Sequence, residues 1–212
     1  MTADVGPART RLDRVAYDQA AAAFVDVVAR IAPERWDDPA LGEWTVRDLV
    51  GHCGRAFSTV VRFVDNPAEH VEVEDVGSYV RAAVTIPDIH AGVAERGREA
   101  GAALGADPLA TVTAWRAEAD RALAGCSGTE IGVTATGAMQ LGQYLRTRVV
   151  ELVVHTIDLC DALGFAVPDS VAAGRVALES IVGVPVDGER QAMVLRALMG
   201  RDTLPDGFNL FG

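Results

Sequence analysis

Apolar residues recur at three- and four-residue intervals along most of this chain, the period of an amphipathic helix and not of a strand. Tyr17, Ala20, Ala21, Phe24, Val27, Val28 and Ile31 mark a first helix over 12–31, after a loose terminus at 1–10. Prolines, a glycine and aspartates make 33–44 a loop, which Trp36 and Trp44 can pin to the body. Thr45-Val-Arg-Asp48 is a capping box, and the helix it opens runs to Asp65 with Val46, Leu49, Val50, Cys53, Phe57, Val60 and Val64 inward. The stretch 66–77 is an acidic surface loop, in which His70 has no role, and 78–84 a short helical turn. A helix from Pro87 to Leu104 carries His90, read as a surface residue. Its apolar pattern is weak, and Gly92, Gly97 and Gly101 argue against it. Asp107-Pro108 starts a cleaner stripe through Leu109, Val112, Trp115, Ala119 and Leu123.

The segment 130–137 lacks a helical period and suits extended backbone. It leads into a long helix, with Thr136 as its candidate cap and Gly164 at its left-handed end. Leu145, Val149, Leu152, Val153, Ile157, Cys160 and Leu163 form that helix's apolar arc. Further helices begin at Pro168 and at Gly188, and the apolar tail 204–211 is expected to dock.

On the long helix, Arg148, Glu151, His155 and Asp158 fall on a second line, spaced three, four and three residues. Neighbours at these spacings stack on one face, so Glu151 and His155 can aim a carboxylate and an imidazole at one point. Such a pair more usually just supports a solvated helix face. His52 also sits at the margin of an apolar face, where a histidine more often packs and hydrogen-bonds than ligates.

Composition narrows the chemistry. All 19 basic residues are arginine, so lysine-dependent routes such as Schiff bases and Walker-A phosphate loops are excluded. A net charge of −11 disfavours nucleic acid and acidic membrane surfaces. No targeting or spanning segment is visible, and Cys53, Cys126 and Cys160 suit reduced thiols, so a cytoplasmic location is expected. The apolar tail and C-terminal helices offer a surface for a homodimer.

Two patches, Glu43-Trp-Thr-Val-Arg-Asp-Leu-Val-Gly-His52 and Arg148-Val-Val-Glu-Leu-Val-Val-His-Thr-Ile-Asp158, occur in that order about a hundred residues apart. Together they resemble the metal-binding domain of the mycothiol-dependent maleylpyruvate isomerase family, within the DinB-like four-helix bundles. The resemblance covers roughly residues 10–165. It implies an all-α fold: a DinB-like four-helix bundle over 10–165, with a C-terminal helical extension over 166–212 packed on it.

The resemblance further implies that His52, Glu151 and His155 bind a divalent metal, zinc first, with nickel or iron as alternatives. Asp48 and Asp158 are candidates to orient the imidazoles, although the capping box already accounts for Asp48. Arg148 is a candidate to hold a carboxylate of thiol or substrate, the simpler reading being an ion pair with Asp158 or Glu151. The implied activity is metal-assisted deprotonation of a low-molecular-weight thiol, mycothiol, which adds to a small electrophile and gives isomerisation or S-transfer. Only 48 residues follow Gly164, so the isomerase's second domain is not expected, and the chain looks like a short family member. A metal-containing bundle that binds a small molecule or a protein partner without turnover is the alternative.

Overall fold

A computed structural model describes residues 7–87, 89–184 and 186–210, without the side chains of 7–10 and 89–91. The surface placement expected for His90 and the docking of Phe211 therefore lie outside the described residues. The described residues form eight α-helices and one hairpin: α1 Pro7–Val28, α2 Val46–Asp65, α3 Val76–Val84, α4 Ile89–Ala103, α5 Pro108–Leu123, β1 Ile131–Thr134, β2 Gly137–Gln140, α6 Leu141–Leu163, α7 Val171–Val182 and α8 Gly188–Leu198. The architecture is an all-α, DinB-like bundle. The first helix begins at Pro7, earlier than the loose terminus allowed, because proline suits the first helical position.

α1, α2, α5 and α6 form the bundle, α4 covers the outer side of α2, and α7 packs on α1 and α6. Phe24 of α1 meets Phe57 of α2 at 6.1 Å between ring centroids, and Phe63 of α2 stacks on Tyr144 of α6 at 4.7 Å. Both tryptophans of the 33–44 loop are buried, as the pinning role requires. The capping box forms in full: Asp48 N donates to Thr45 Oγ1 at 3.2 Å, and Thr45 N donates to Asp48 Oδ2 at 3.1 Å.

The glycines that weakened the pattern of α4 are what bring it against α2. A Cβ at Gly51 would lie 2.2 Å from the backbone nitrogen of Gly101, and one at Gly97 would lie 2.6 Å from the Trp44 ring. Two backbones can approach this closely only where neither carries a side chain.

Residues 131–140 form an antiparallel hairpin with Thr134 opposite Gly137. Thr136 lies in its turn and does not cap α6. That helix starts at Leu141 with no side-chain cap, because Leu141 N and Gly142 N donate to the carbonyls of Glu130 and Gly128. Gly164 ends it in the left-handed conformation at φ 70°.

A buried ion pair ties three helices. Arg146 on α6 donates to Asp13 on α1 at 2.9 Å and also reaches Glu179 on α7 at 3.4 Å. The C-terminal extension is less embedded than expected. α7 buries Ala173, Val176, Ala177 and Ser180, α8 buries no residue, and 201–207 of the tail are exposed. Ile157, assigned to the buried arc of α6, is partly exposed and faces an apolar groove beside α7. Small side chains make most of the contact of α7, which leaves its large aliphatic residues outward. Among the described residues no helix is long and apolar enough to cross a membrane.

Candidate metal centre

α2 and α6 each carry a polar line along the edge of a buried face. On α6 it is Arg148, Glu151, His155 and Asp158. On α2 it is His52, Arg55, Thr59 and Arg62, with the same three-four-three spacing. The two lines meet where the helices pack. Glu151 Oε2 lies 3.3 Å from His52 Nε2 and 3.5 Å from His155 Nε2. The two imidazoles stand edge-on, 4.8 Å between centroids at 84°. Ligand atoms from all three residues lie within 4.8 Å of one another, and this is the one group of three or more His, Cys, Asp or Glu so gathered among the described residues.

The donor set fits a divalent ion. Tetrahedral zinc with bonds of about 2.0–2.2 Å sets adjacent ligand atoms about 3.3–3.5 Å apart, the spacing that Glu151 keeps from each histidine. Three protein donors leave a coordination position for an exogenous group, and the Glu151 side chain, 36% exposed, opens onto solvent.

The two histidines are supported differently. His155 Nδ1 lies 2.9 Å from Asp158 Oδ2, which leaves Nε2 directed at Glu151. His52 Nδ1 is buried and meets no hydrogen-bond partner among the described residues. Its ring is held instead by Trp44, 4.6 Å away between centroids, whose indole nitrogen donates to Ala94 O on α4 at 3.1 Å. Asp48 does not orient His52, since its hydrogen bonds stay within the cap.

Charge in the cluster follows from this arrangement. Burial opposes the charged form of His155, but hydrogen bonds to Asp158 and Glu151 outweigh it and raise the imidazole to about 9. His52 moves down, chiefly by burial, with Glu151 pulling the other way. Glu151 is held well below the usual carboxylate range: burial would raise it, and hydrogen bonds from both histidines win. A protonated His155 is thus the counter-ion of Glu151. Cys53 points into the core, and burial pushes its thiol well up, so it offers no thiolate.

The centre borders a cleft of about 450 Å³ between α2, α3, α4, α6 and the hairpin tip. Arg148 reaches into it and forms no ion pair with Asp158 or Glu151, contrary to the simpler sequence reading. Its side chain lies over the Tyr144 and Tyr79 rings, at 5.0 and 6.0 Å, and donates to Thr147 Oγ1 at 3.1 Å and Tyr79 Oη at 3.4 Å. Tyr79, Trp44, Arg55, Arg62 and Arg96 were not singled out for this site from sequence. The α2 spacing carried a signal for Arg55 and Arg62, whereas nothing local marked Tyr79 or Arg96. A larger apolar groove of about 740 Å³ beside α7 contains none of the cluster.

Fold and site together define a helical bundle with an open two-histidine, one-carboxylate centre at its α2–α6 seam. The family model for the mycothiol maleylpyruvate isomerase N-terminal domain matches residues 17–160, and the chain belongs to that metal-binding, mycothiol-associated family. Among curated proteins and among solved structures, no significant match is found.

Proposed function

We propose that this protein is a divalent-metal-dependent enzyme that uses a low-molecular-weight thiol, mycothiol, for S-transfer to a small electrophile or for its isomerisation. The observation that carries this reading is the convergence of His52 Nε2, His155 Nε2 and Glu151 Oε2 at the mouth of a cleft large enough for a small molecule.

His52, Glu151 and His155 hold the ion, zinc by preference for two imidazoles and a carboxylate. Bound there, a divalent ion would supply Lewis acidity that favours the thiolate form of a small thiol at neutral pH. The chain supplies the rest. Asp158 keeps His155 Nε2 turned toward Glu151, and Trp44 shields His52 from water. Arg148, pre-positioned by Tyr79, Tyr144 and Thr147, receives an anionic group of the partner molecule next to the reacting sulfur.

Cobalt-loaded protein titrated with mycothiol tests this. A new near-ultraviolet thiolate-to-metal absorption band is expected in the wild type and not in Glu151→Gln. Metal-loaded protein that shows no thiol-dependent band would leave a metal-containing bundle without thiol chemistry.

A further inference from the structure

The cleft is basic although the chain as a whole carries −11. Arg55 and Arg62 of α2, Arg96 of α4 and Arg148 of α6 line it, and Glu151 is the sole carboxylate among its lining residues. Several arginines elsewhere pair with carboxylates, Arg14 with Asp18, Arg116 with Asp120, Arg146 with Asp13 and Arg175 with Glu179, whereas others such as Arg30 and Arg47 lie singly over aromatic rings. Among the described residues, no carboxylate lies within ion-pair distance of any of the four cleft arginines. Burial, then Arg96, Arg62 and Arg148, move the Arg55 guanidinium below its ordinary value, and Glu99 opposes that shift at longer range.

Arg148 is buried, Arg55 and Arg96 are half-buried and Arg62 is exposed, and a cleft lined by one sign of charge focuses its field on an anionic entrant. The side chains come from three helices, so neither one helix face nor local sequence accounts for the cluster. Arg148 is 8% exposed and fixed by Thr147, Tyr79 and the Tyr144 ring, a preformed fork for a planar or tetrahedral anion. Thr59 and Thr136 add hydroxyls to the same wall.

We infer that the cleft is a binding site for a small molecule with two or more anionic groups, carboxylates or a phosphate ester, one received by Arg148 beside Glu151 and the others by Arg55, Arg62 and Arg96. That this molecule is the electrophile rests on the thiol-transfer reading above, whereas the anion site itself does not. A singly charged or neutral ligand would leave most of the cluster uncompensated. The four arginines therefore set specificity, and the metal centre lies at one end of the bound molecule.

Calorimetric titration of the full chain tests the site, as purified and again after EDTA treatment. The probes are tricarballylate, inorganic pyrophosphate and, as the neutral control, propane-1,2,3-tricarboxamide. Saturable one-to-one binding of tricarballylate or pyrophosphate is expected, with no binding of the triamide. Which anion binds tighter distinguishes a carboxylate from a phosphate ligand. Arg55→Gln and Arg96→Gln, tested separately, are each expected to weaken binding by about 10-fold or more, as loss of a charge-assisted contact does, while Arg116→Gln on α5 leaves it unchanged. No saturable binding of either anion overturns the proposal, as does binding that ignores Arg55→Gln and Arg96→Gln or falls equally in Arg116→Gln. The EDTA-treated arm needs no metal, so its outcome is independent of whether His52, Glu151 and His155 hold one.

Discussion

The carboxylate of Asp158 accepts a hydrogen bond from His155 Nδ1 at 2.9 Å, one turn further along the helix that carries Glu151. This contact fixes the tautomer of His155 and raises the basicity of the nitrogen that faces Glu151. Asp158→Asn is expected to weaken metal binding about 10- to 100-fold while helicity is unchanged. Competition with a chromophoric chelator measures it. Equal affinity in the variant would make Asp158 a contact on a helix face and nothing more.

His52 has no such carboxylate and depends on packing. Trp44 lies against it, and Trp44 is itself clamped by α4 through Ala94 O and the bare backbone of Gly97. A change that pushes α4 from α2 is therefore expected to disturb His52 and with it the candidate metal centre. Gly51→Ala places a methyl where the Gly101 backbone now sits, and is expected to destabilise the fold by about 1–3 kcal/mol and to weaken metal binding as well. Urea unfolding and chelator competition on the same preparation test both halves. A variant that loses stability but keeps full metal affinity would uncouple α4 from the centre.

Asp13 and Arg146 supply a different kind of support, away from the cleft. Both are buried, and their pair joins α1 to α6. Asp13→Ala leaves Arg146, among the described residues, with only its longer contact to Glu179, and is expected to cost about 3–5 kcal/mol in urea unfolding. Asp13→Leu combined with Arg146→Met, which removes both charges, is expected to recover much of that loss. If the double substitution is as costly as the single, the pairing with Arg146 is not what Asp13 contributes.

Much of the fold follows from period alone. The bundle helices α1, α2, α5 and α6 have wide apolar faces, and caps at Thr45, Asp107 and Gly164 fall where their geometry requires. α4 was harder to read because its contact surface is glycine, which a hydrophobic pattern cannot register. The hairpin was harder because four-residue strands containing Gly132, Gly137 and Ala138 show no alternation. Its pairing also relies on the chain after α2, where Val133 N donates to Asn66 O and Ala68 N to Ile131 O. In the C-terminal extension the aliphatic residues suggested burial, but Val171, Leu178, Leu195 and Leu198 are exposed.

At the site, spacing placed Glu151 over His155 within one helix. The approach of His52 across the seam depends on how α2 and α6 pack, which no single-helix period contains. Arg55 and Arg62 repeat the α6 spacing on α2, yet arginine on a helix margin reads as solvated surface until the facing wall is known. Arg148 illustrates the same limit: an acidic partner three residues away was the simpler assignment, and the aromatic pocket made by Tyr79 and Tyr144 takes the guanidinium instead.

The most direct test of a shared metal centre is elemental analysis of untagged protein, for the wild type and for His52→Ala and His155→Ala separately. One divalent ion per chain is expected in the wild type, and its loss in each variant with the helical signal intact. Wild-type protein that contains no metal and stays empty after incubation with zinc, nickel or ferrous iron would contradict the account.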